Sequence, residues 1–542
     1  MAPVRRTRVL IAGALALASS LLATPVLAAP ASVAPVTCAD VSVAPGQMRC
    51  FSTVRPAADT TTGPPAGALS AQDVTSLYGL PAIPAVVPVG SGPTVAIVDA
   101  GGAPTLESDL ATYRAQYGLG VCSVANGCLT IMNQRGVIGS PPATIDGWDF
   151  ETALDVEAVA AACPACRILV VQADTPNSDD LDVATAVAAD RASYVSMSFG
   201  SDDNGLSAQD VASTEAVFSS HPAVTFVASS GDLGWVTNDP DADEVCGTGA
   251  LYTVGASRSC AQYPATSPYV ISVGGTVATN TGTATAPVWS QTTWHVSDTA
   301  LNGGGASSGC SGWARMPAAQ ALSVKAVAAC GTARATTDLS AIASGFAMYH
   351  PDSGQGWWVA GGTSLSAPLI AGMYAQAGNH TRPFDIYLRA AADPTAFTDV
   401  TTGSTRGCNT TLDLLHLCSA GIGWDGPTGL GTPRGLASLR PYTGPTVPVV
   451  TTTPSVPVTH RGAVRIRGKA RARAVLRAAY GVFGPGASVT VRWLVNGRPV
   501  ATGPRLRVKR AWRHHRIRYV VTATAPGRTS ISLTSSAVLI KR

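Results

Sequence analysis

The chain has 542 residues, of which 46% are hydrophobic and only 13% charged, with a formal net charge of +4. That length excludes a single small domain, and a chain this apolar can bury a large core. The small net charge hides a division: residues 30–460 hold all 33 acidic residues with 15 basic ones, whereas residues 461–542 hold 19 Lys and Arg and no acid.

In chain order, residues 1–28 read as an export signal. Arg5, Arg6 and Arg8 precede an uncharged run from Val9 to Ala23, and Val26-Leu27-Ala28 resembles a small-residue cleavage site. A membrane anchor is the alternative, but the run is short for a span and the cleavage site follows at once. No later segment runs 18 apolar residues, so a secreted, extracellular protein without a transmembrane segment is expected. Residues 29–67 form a short extension. The 12 cysteines fall into close neighbours: Cys38/Cys50, Cys122/Cys128, Cys163/Cys166, Cys246/Cys260, Cys310/Cys330 and Cys408/Cys418. Six sequential disulfides are the simplest pattern, although spacing does not fix connectivity. Cys163-Pro-Ala-Cys166 could be a redox or zinc motif. It lacks a thioredoxin-like setting and a second pair, which favours a short structural bridge.

Residues 68–440 alternate. Apolar β-branched runs (94–98, 168–171, 224–227, 270–273) are separated by Ala-rich stretches of helical length (151–162, 182–190, 207–219). That rhythm predicts an α/β fold, a parallel sheet with helices on both faces. Residues 300–308 are expected to be loop near the active edge. Residues 441–460 are Pro/Thr-rich and suit a linker. Beyond it, runs at 488–494, 518–523 and 530–533, with Asn496-Gly497 as a hairpin signal, predict a small β-sandwich. The stretch VTVRWLVNGRPVATG, followed by RYVVTATAPGRTS, resembles bacterial immunoglobulin-like repeats, with Trp493 as core tryptophan.

Three motifs carry chemistry. Residues 361–375 (GGTSLSAPLIAGMYA) place Ser364 at the start of an apolar helix, with Pro368 in its first turns. Unpaired N–H groups and the positive dipole end there favour a developing oxyanion. Residues 151–157 (ETALDVE) set Glu151 and Asp155 four apart, on one helix face. Two acids that close raise one pKa and share a proton. A solvated acidic face is the plainer reading of that spacing; flanking Leu154, Val156 and Ala158 argue for burial. Glu157 points elsewhere and reads as structural. Asp232, in ASSGDLG, follows an apolar strand at the end where sites in open sheets lie. None of the eight histidines is followed by Gly-Thr, the usual setting of a subtilase base. Asp99 in VAIVDAGG does resemble the subtilase aspartate motif, which keeps that alternative open.

E-x-x-x-D, SSGD and GGTSxSAP, in that order, resemble the sedolisins, the acid-acting serine-carboxyl peptidases. YPATSPYVISVGGT at 263–276, the Gly303–Gly305 run and Asp338-Leu339-Ser340 extend the resemblance over roughly residues 68–436. It implies a subtilisin-like α/β fold and peptide substrates, with Ser364 as nucleophile, Glu151 as general base, Asp155 as its partner and Asp232 as the oxyanion-stabilising acid. It also implies one calcium ion, with side-chain oxygens from Asp399 and Asp425 and carbonyls from Val400, Gly421 and Gly423. Three departures stand out. Only about 40 residues separate the signal from the peptidase unit, where sedolisins usually carry a large prodomain. Phe199 stands where many relatives have Trp or Tyr, and Thr337 where proline is usual. The resemblance leaves endopeptidase and tripeptidyl-peptidase activity both open, and a monomer is expected. An inactive homologue acting as a secreted binding protein is the rival reading. The basic stretch 507–516 (RVKRAWRHHR) suits an anionic cell-wall polymer or surface; it carries no specific nucleic-acid motif.

Overall fold

A computed structural model describes residues 46–55, 63–203, 206, 208–235, 260–296, 304–352, 355–410, 413, 415–445, 460–484, 486–496, 498–525 and 528–541. The expected signal, and Cys38 and Cys246, lie outside them. The elements that position the site are, in chain order, β1 (Arg49–Cys50), β2 (Thr53–Arg55), β3 (Thr94–Ala100), β4 (Leu129–Asn133), α1 (Trp148–Ala162), β5 (Arg167–Ala173), α2 (Ser178–Ala189), β6 (Tyr194–Met197), β7 (Phe199–Asp202), β8 (Thr225–Ser229), β9 (Val270–Asn280), β10 (Trp289–Thr293), β11 (Leu339–Ile342), β12 (Gln355–Gly361) and α3 (Thr363–Ala377).

The eight-stranded central sheet has the order β10-β9-β8-β6-β3-β5-β4, with β11 also pairing β9. All its pairings are parallel except β9 with β10. Alternate residues of each buried strand feed two separate cores. Val95, Ile97, Ile168 and Val170 pack on the side of α1 and α3. Ala96, Val98, Leu169 and Val171 pack on the side of α2. Strands covered on both faces must be apolar at successive positions, which is why these segments read as runs rather than as alternations. The two helices behind the site are covered around their whole circumference, and nearly every residue of α1 and α3 is buried, the acids Glu151, Asp155 and Glu157 included. The fold is thus the expected α/β arrangement. The stretch 207–219 becomes helical only from Ala212 to Ser220. In the expected loop at 300–308, Gly304–Gly305 instead pairs as a short strand with His295–Val296.

Four disulfides join the expected neighbours: Cys122–Cys128, Cys163–Cys166, Cys310–Cys330 and Cys408–Cys418. Cys50 and Cys260 are disulfide-bonded as well. Residues 460–541 form antiparallel sheets around a separate core that contains fully buried Trp493 and Tyr519. A two-residue hairpin at Asn496, with φ +46°, brings Val495 opposite Arg498. No helix among the described residues is long and apolar enough to cross a membrane.

Candidate active site

The site forms where α1 and α3 meet the carboxyl ends of β3, β6 and β8. Ser364 is the second residue of α3, behind Gly362. Gly362 has φ +95°, and a Cβ there would lie 1.9 Å from the Phe51 carbonyl oxygen, so glycine alone lets the chain turn into the helix at this point. Pro368 is the sixth residue of α3 and has no N–H for the carbonyl of Ser364. That freed carbonyl accepts the Ser198 hydroxyl at 3.3 Å, and the same hydroxyl reaches Asp155 Oδ1 at 2.8 Å. The proline inside the helix therefore links the serine's backbone to the acid pair.

Glu151 and Asp155 are fully buried on α1. Glu151 takes hydrogen bonds from the hydroxyls of Ser364 and Ser52. Burial, then the charge of Asp99, pushes both carboxyls well above the usual range, and Glu151 raises Asp155 further. Asp99, at the end of β3, is itself fully buried and raised, with the Thr152 hydroxyl beside it. Three acids thus face one another, and holding protons relieves their repulsion. Sequence reasoning assigned Asp99 only to the subtilase alternative. The plainer reading of Glu151 and Asp155 as a solvated face is overturned by their complete burial. Glu157, two residues after Asp155 on the same helix, receives the Tyr349 N–H at 2.9 Å and stays apart.

Asp232 follows β8 on the opposite side of Ser364. Its Oδ1 accepts both the N–H and the hydroxyl of Thr363 at 2.8 Å. Its Oδ2 is buried without a hydrogen bond. Burial pushes its pKa up to about 7, against the lowering effects of Thr363 and of Arg49. The four sequence-predicted residues are therefore brought together around one hydroxyl. The Ser364 hydroxyl meets the Phe51 N–H, the Ser198 carbonyl and the Glu151 carboxyl, so the group placed to take its proton is a carboxylate. Sequence reasoning missed Ser198, Thr363 and the strip that lies over the site. That strip, β1 and β2 with Phe51 and Ser52 between them, leaves Ser364 with no solvent exposure.

Two of the expected calcium ligands, Asp399 and Asp425, also lie near each other. Asp425 is fully buried. Its carboxyl takes the Thr428 N–H (2.9 Å), the Thr428 hydroxyl (2.8 Å) and the Gly421 N–H (3.0 Å), all neutral donors. Asp399 takes the Gly423 N–H at 2.8 Å and repels Asp425 through space. Two close carboxylates on a loop rich in carbonyls fit a hard divalent cation. Val400 is buried beside Asp399. Nearby Cys408, Asp413 and Cys418 also cluster, but both thiols are spent in a disulfide and Asp413 caps the N–H groups of Leu417, Cys418 and Ser419.

Residues 146–386 match the model of the Subtilase family. Kumamolisin of Bacillus sp. (strain MN-32) is 28% identical over 362 residues, covering 65% of this chain and 60% of kumamolisin. Xanthomonalisin of Xanthomonas sp. (strain T-22) is 26% identical over 391 residues, covering 67% of this chain and 44% of that protein. The chain thus matches roughly half the length of these curated relatives. In fold it is similar to the Pseudomonas sedolisin, a serine-carboxyl proteinase solved with two molecules of pseudo-iodotyrostatin. The TM-score is 0.51 at 24% identity, over 64% of this chain and 93% of that one.

Proposed function

The chain belongs to the sedolisin family, and from that premise we propose that it is a serine peptidase that hydrolyses peptide bonds at acidic pH. The observation that carries this reading is the Ser364 hydroxyl, hydrogen-bonded to Glu151 at a helix N-terminus, with the free oxygen of Asp232 opposite.

In this mechanism Glu151 withdraws the Ser364 proton as the oxygen attacks the carbonyl carbon, and passes it to the leaving amine. Of the three facing acids, Glu151 takes two hydroxyl donors, which favours its charged form; protons then rest on Asp155 and Asp99. Asp155 orients the pair through Ser198. Asp232 donates to the oxyanion only while protonated, which an apparent value of about 7 allows in acid. The base and the donor coexist where the pH is high enough to ionise one of the three facing acids and below about 7, where Asp232 keeps its proton. The test is cleavage of a denatured protein across pH 3–8, with product termini read by mass spectrometry. Maximal rate on the acid side is expected; a maximum near pH 8 sinks the mechanism.

Asp399 and Asp425, with the carbonyls of Val400, Gly421 and Gly423, would hold one calcium ion, which would neutralise the two carboxylates and brace the loop. Bound at about a hundred times its dissociation constant, such an ion adds about 2.7 kcal/mol. Chelation should then lower the melting temperature of the Ser364→Ala protein by roughly 3–4 °C, reversibly with calcium. Unchanged unfolding would argue against a bracing metal. Secretion is supported by the N-terminal charge and hydropathy pattern and by the disulfides. The basic C-terminal unit we assign to attachment at an anionic surface, on charge alone.

A further inference from the structure

Residues 461–542 hold 19 Lys and Arg and no acid, and sixteen of the 19 are arginine. Three short strands arrange part of that charge: β13 (Arg465–Arg467), β14 (Val475–Ala479) and β15 (Arg505–Arg507). β14 pairs antiparallel with β13 on one side and with β15 on the other. The register sets Arg467 opposite Arg477 and Arg477 opposite Arg505, so three guanidinium groups form one row across the sheet. Arg465 and Arg507 stand two residues along from that row and share its face, because side chains alternate along a strand. All five are exposed. Leu476 and Leu506 are buried on the other face, in the core that holds Tyr519. From there the Tyr519 hydroxyl donates to the Ala479 carbonyl at 2.7 Å, which supports the sheet from beneath. Neighbouring charges on the face sit roughly 5 Å apart across strands and roughly 7 Å apart along them.

Like charges directly opposite one another on a sheet repel. No ion pair among the described residues relieves these five. They stay exposed although residues 30–460 of the same chain hold all 33 acidic residues. A small anion spans one or two guanidinium groups, so the row and its two neighbours call for a ligand whose negative charges repeat at the same spacing. Arginine, unlike lysine, offers a flat fork of two parallel N–H donors, which suits a phosphate or a carboxylate. Carboxylates lose their charge around pH 4, in the acid range proposed for the peptidase, whereas a phosphodiester keeps its charge there. No aromatic residue stands on this face of the three strands, so it offers a nucleic-acid base nothing to stack on. Resting on the attachment reading above and on the acid activity proposed with it, we infer that this face docks a linear, base-free phosphodiester polymer. Successive phosphates lie on the forks of Arg467, Arg477 and Arg505, with Arg465 and Arg507 at either end. The peptidase is thereby held on the polymer through acidification, since neither side of the contact changes charge.

The full-length Ser364→Ala chain, titrated with poly(glycerol phosphate) at low salt, should bind no more weakly at pH 4 than at pH 7 and should release the polymer at high salt. Arg467→Ser, Arg477→Ser and Arg505→Ser combined should weaken binding at least tenfold without lowering the melting temperature. Arg492→Ser, Arg516→Ser and Arg518→Ser combined remove as much charge from the neighbouring sheet of Ser488–Val495 and Arg516–Ala525, and should weaken binding less than threefold. In the Ser364→Ala chain itself, bound polymer should shield Arg467, Arg477 and Arg505 from phenylglyoxal and leave Arg492, Arg516 and Arg518 reactive; this readout needs no further variant to fold. Equal losses from the two triple variants, or no shielding of the row, overturn the inference and leave attachment by net charge standing. So does weaker binding at pH 4. So does a row variant that loses double-stranded DNA or phosphatidylglycerol vesicles while keeping poly(glycerol phosphate). No binding to any of these probes overturns the attachment reading as well, and leaves the peptidase reading untouched.

Discussion

Replacing Glu151 by Gln is expected to lower kcat/KM for peptide cleavage at pH 4 by about 10³–10⁴-fold, the usual worth of a general base in such a site. Gln keeps the side chain's length and still takes the Ser364 and Ser52 hydroxyls on its carbonyl oxygen, so the geometry survives. What disappears is the ability to hold the proton. The substitution also relieves Asp99 and Asp155 of a neighbouring charge, so the variant should melt no lower than the parent. Steady-state kinetics beside a thermal melt separates the two effects. A variant within tenfold of the parent would mean that another group takes the proton.

Replacing Asp232 by Ala is expected to lower kcat by about 10²–10³-fold at pH 4, because one oxyanion donor is lost. Asp232→Asn provides the control. Its carbonyl oxygen can take the two Thr363 donors that Oδ1 takes now. Its NH₂ then occupies the place of Oδ2 and donates at every pH. The sign follows from the raised carboxyl. Below about pH 7 Asp232 is protonated and donates; as pH rises through that value the donor is lost and a negative charge faces the oxyanion. Around it lie Arg49 on β1, Thr363 on α3 and, across the serine, Glu151. The parent should thus lose activity on the alkaline side, and the Asn variant should lose less between pH 6 and pH 8 while recovering most of what Ala forfeits at pH 4. Equal activity of the Ala variant and the parent at pH 4 would remove Asp232 from the reaction.

The parallel sheet was legible because both faces are covered: buried runs such as 94–98 and 168–171 could be nothing else once Ala-rich helical stretches separated them. Glu151 and Asp155 were legible as a pair because a helix repeats every 3.6 residues, and Ser364 because glycine precedes an apolar helix there. Asp232 was legible through the strand before it. Asp99 joins the others through three-dimensional closure between β3 and α1, and no local pattern reports that contact. Ser198 was hidden for the same reason; its significance depends on the carbonyl that Pro368 leaves vacant 166 residues away. The strip 47–55 offers two-residue and three-residue strands with no periodicity of their own. They become strands only because β7 and β12 present unpaired edges.

The proline in α3 gives the enzyme a mechanical property. Because one hydroxyl lies within hydrogen-bond reach of both the nucleophile's backbone carbonyl and the orienting acid, α3 and α1 are tied together beside the reacting oxygen. Alignment is then inherited from two of the most deeply enclosed helices of the fold, and bond-making accuracy is insulated from motion of the loops that admit and release peptide.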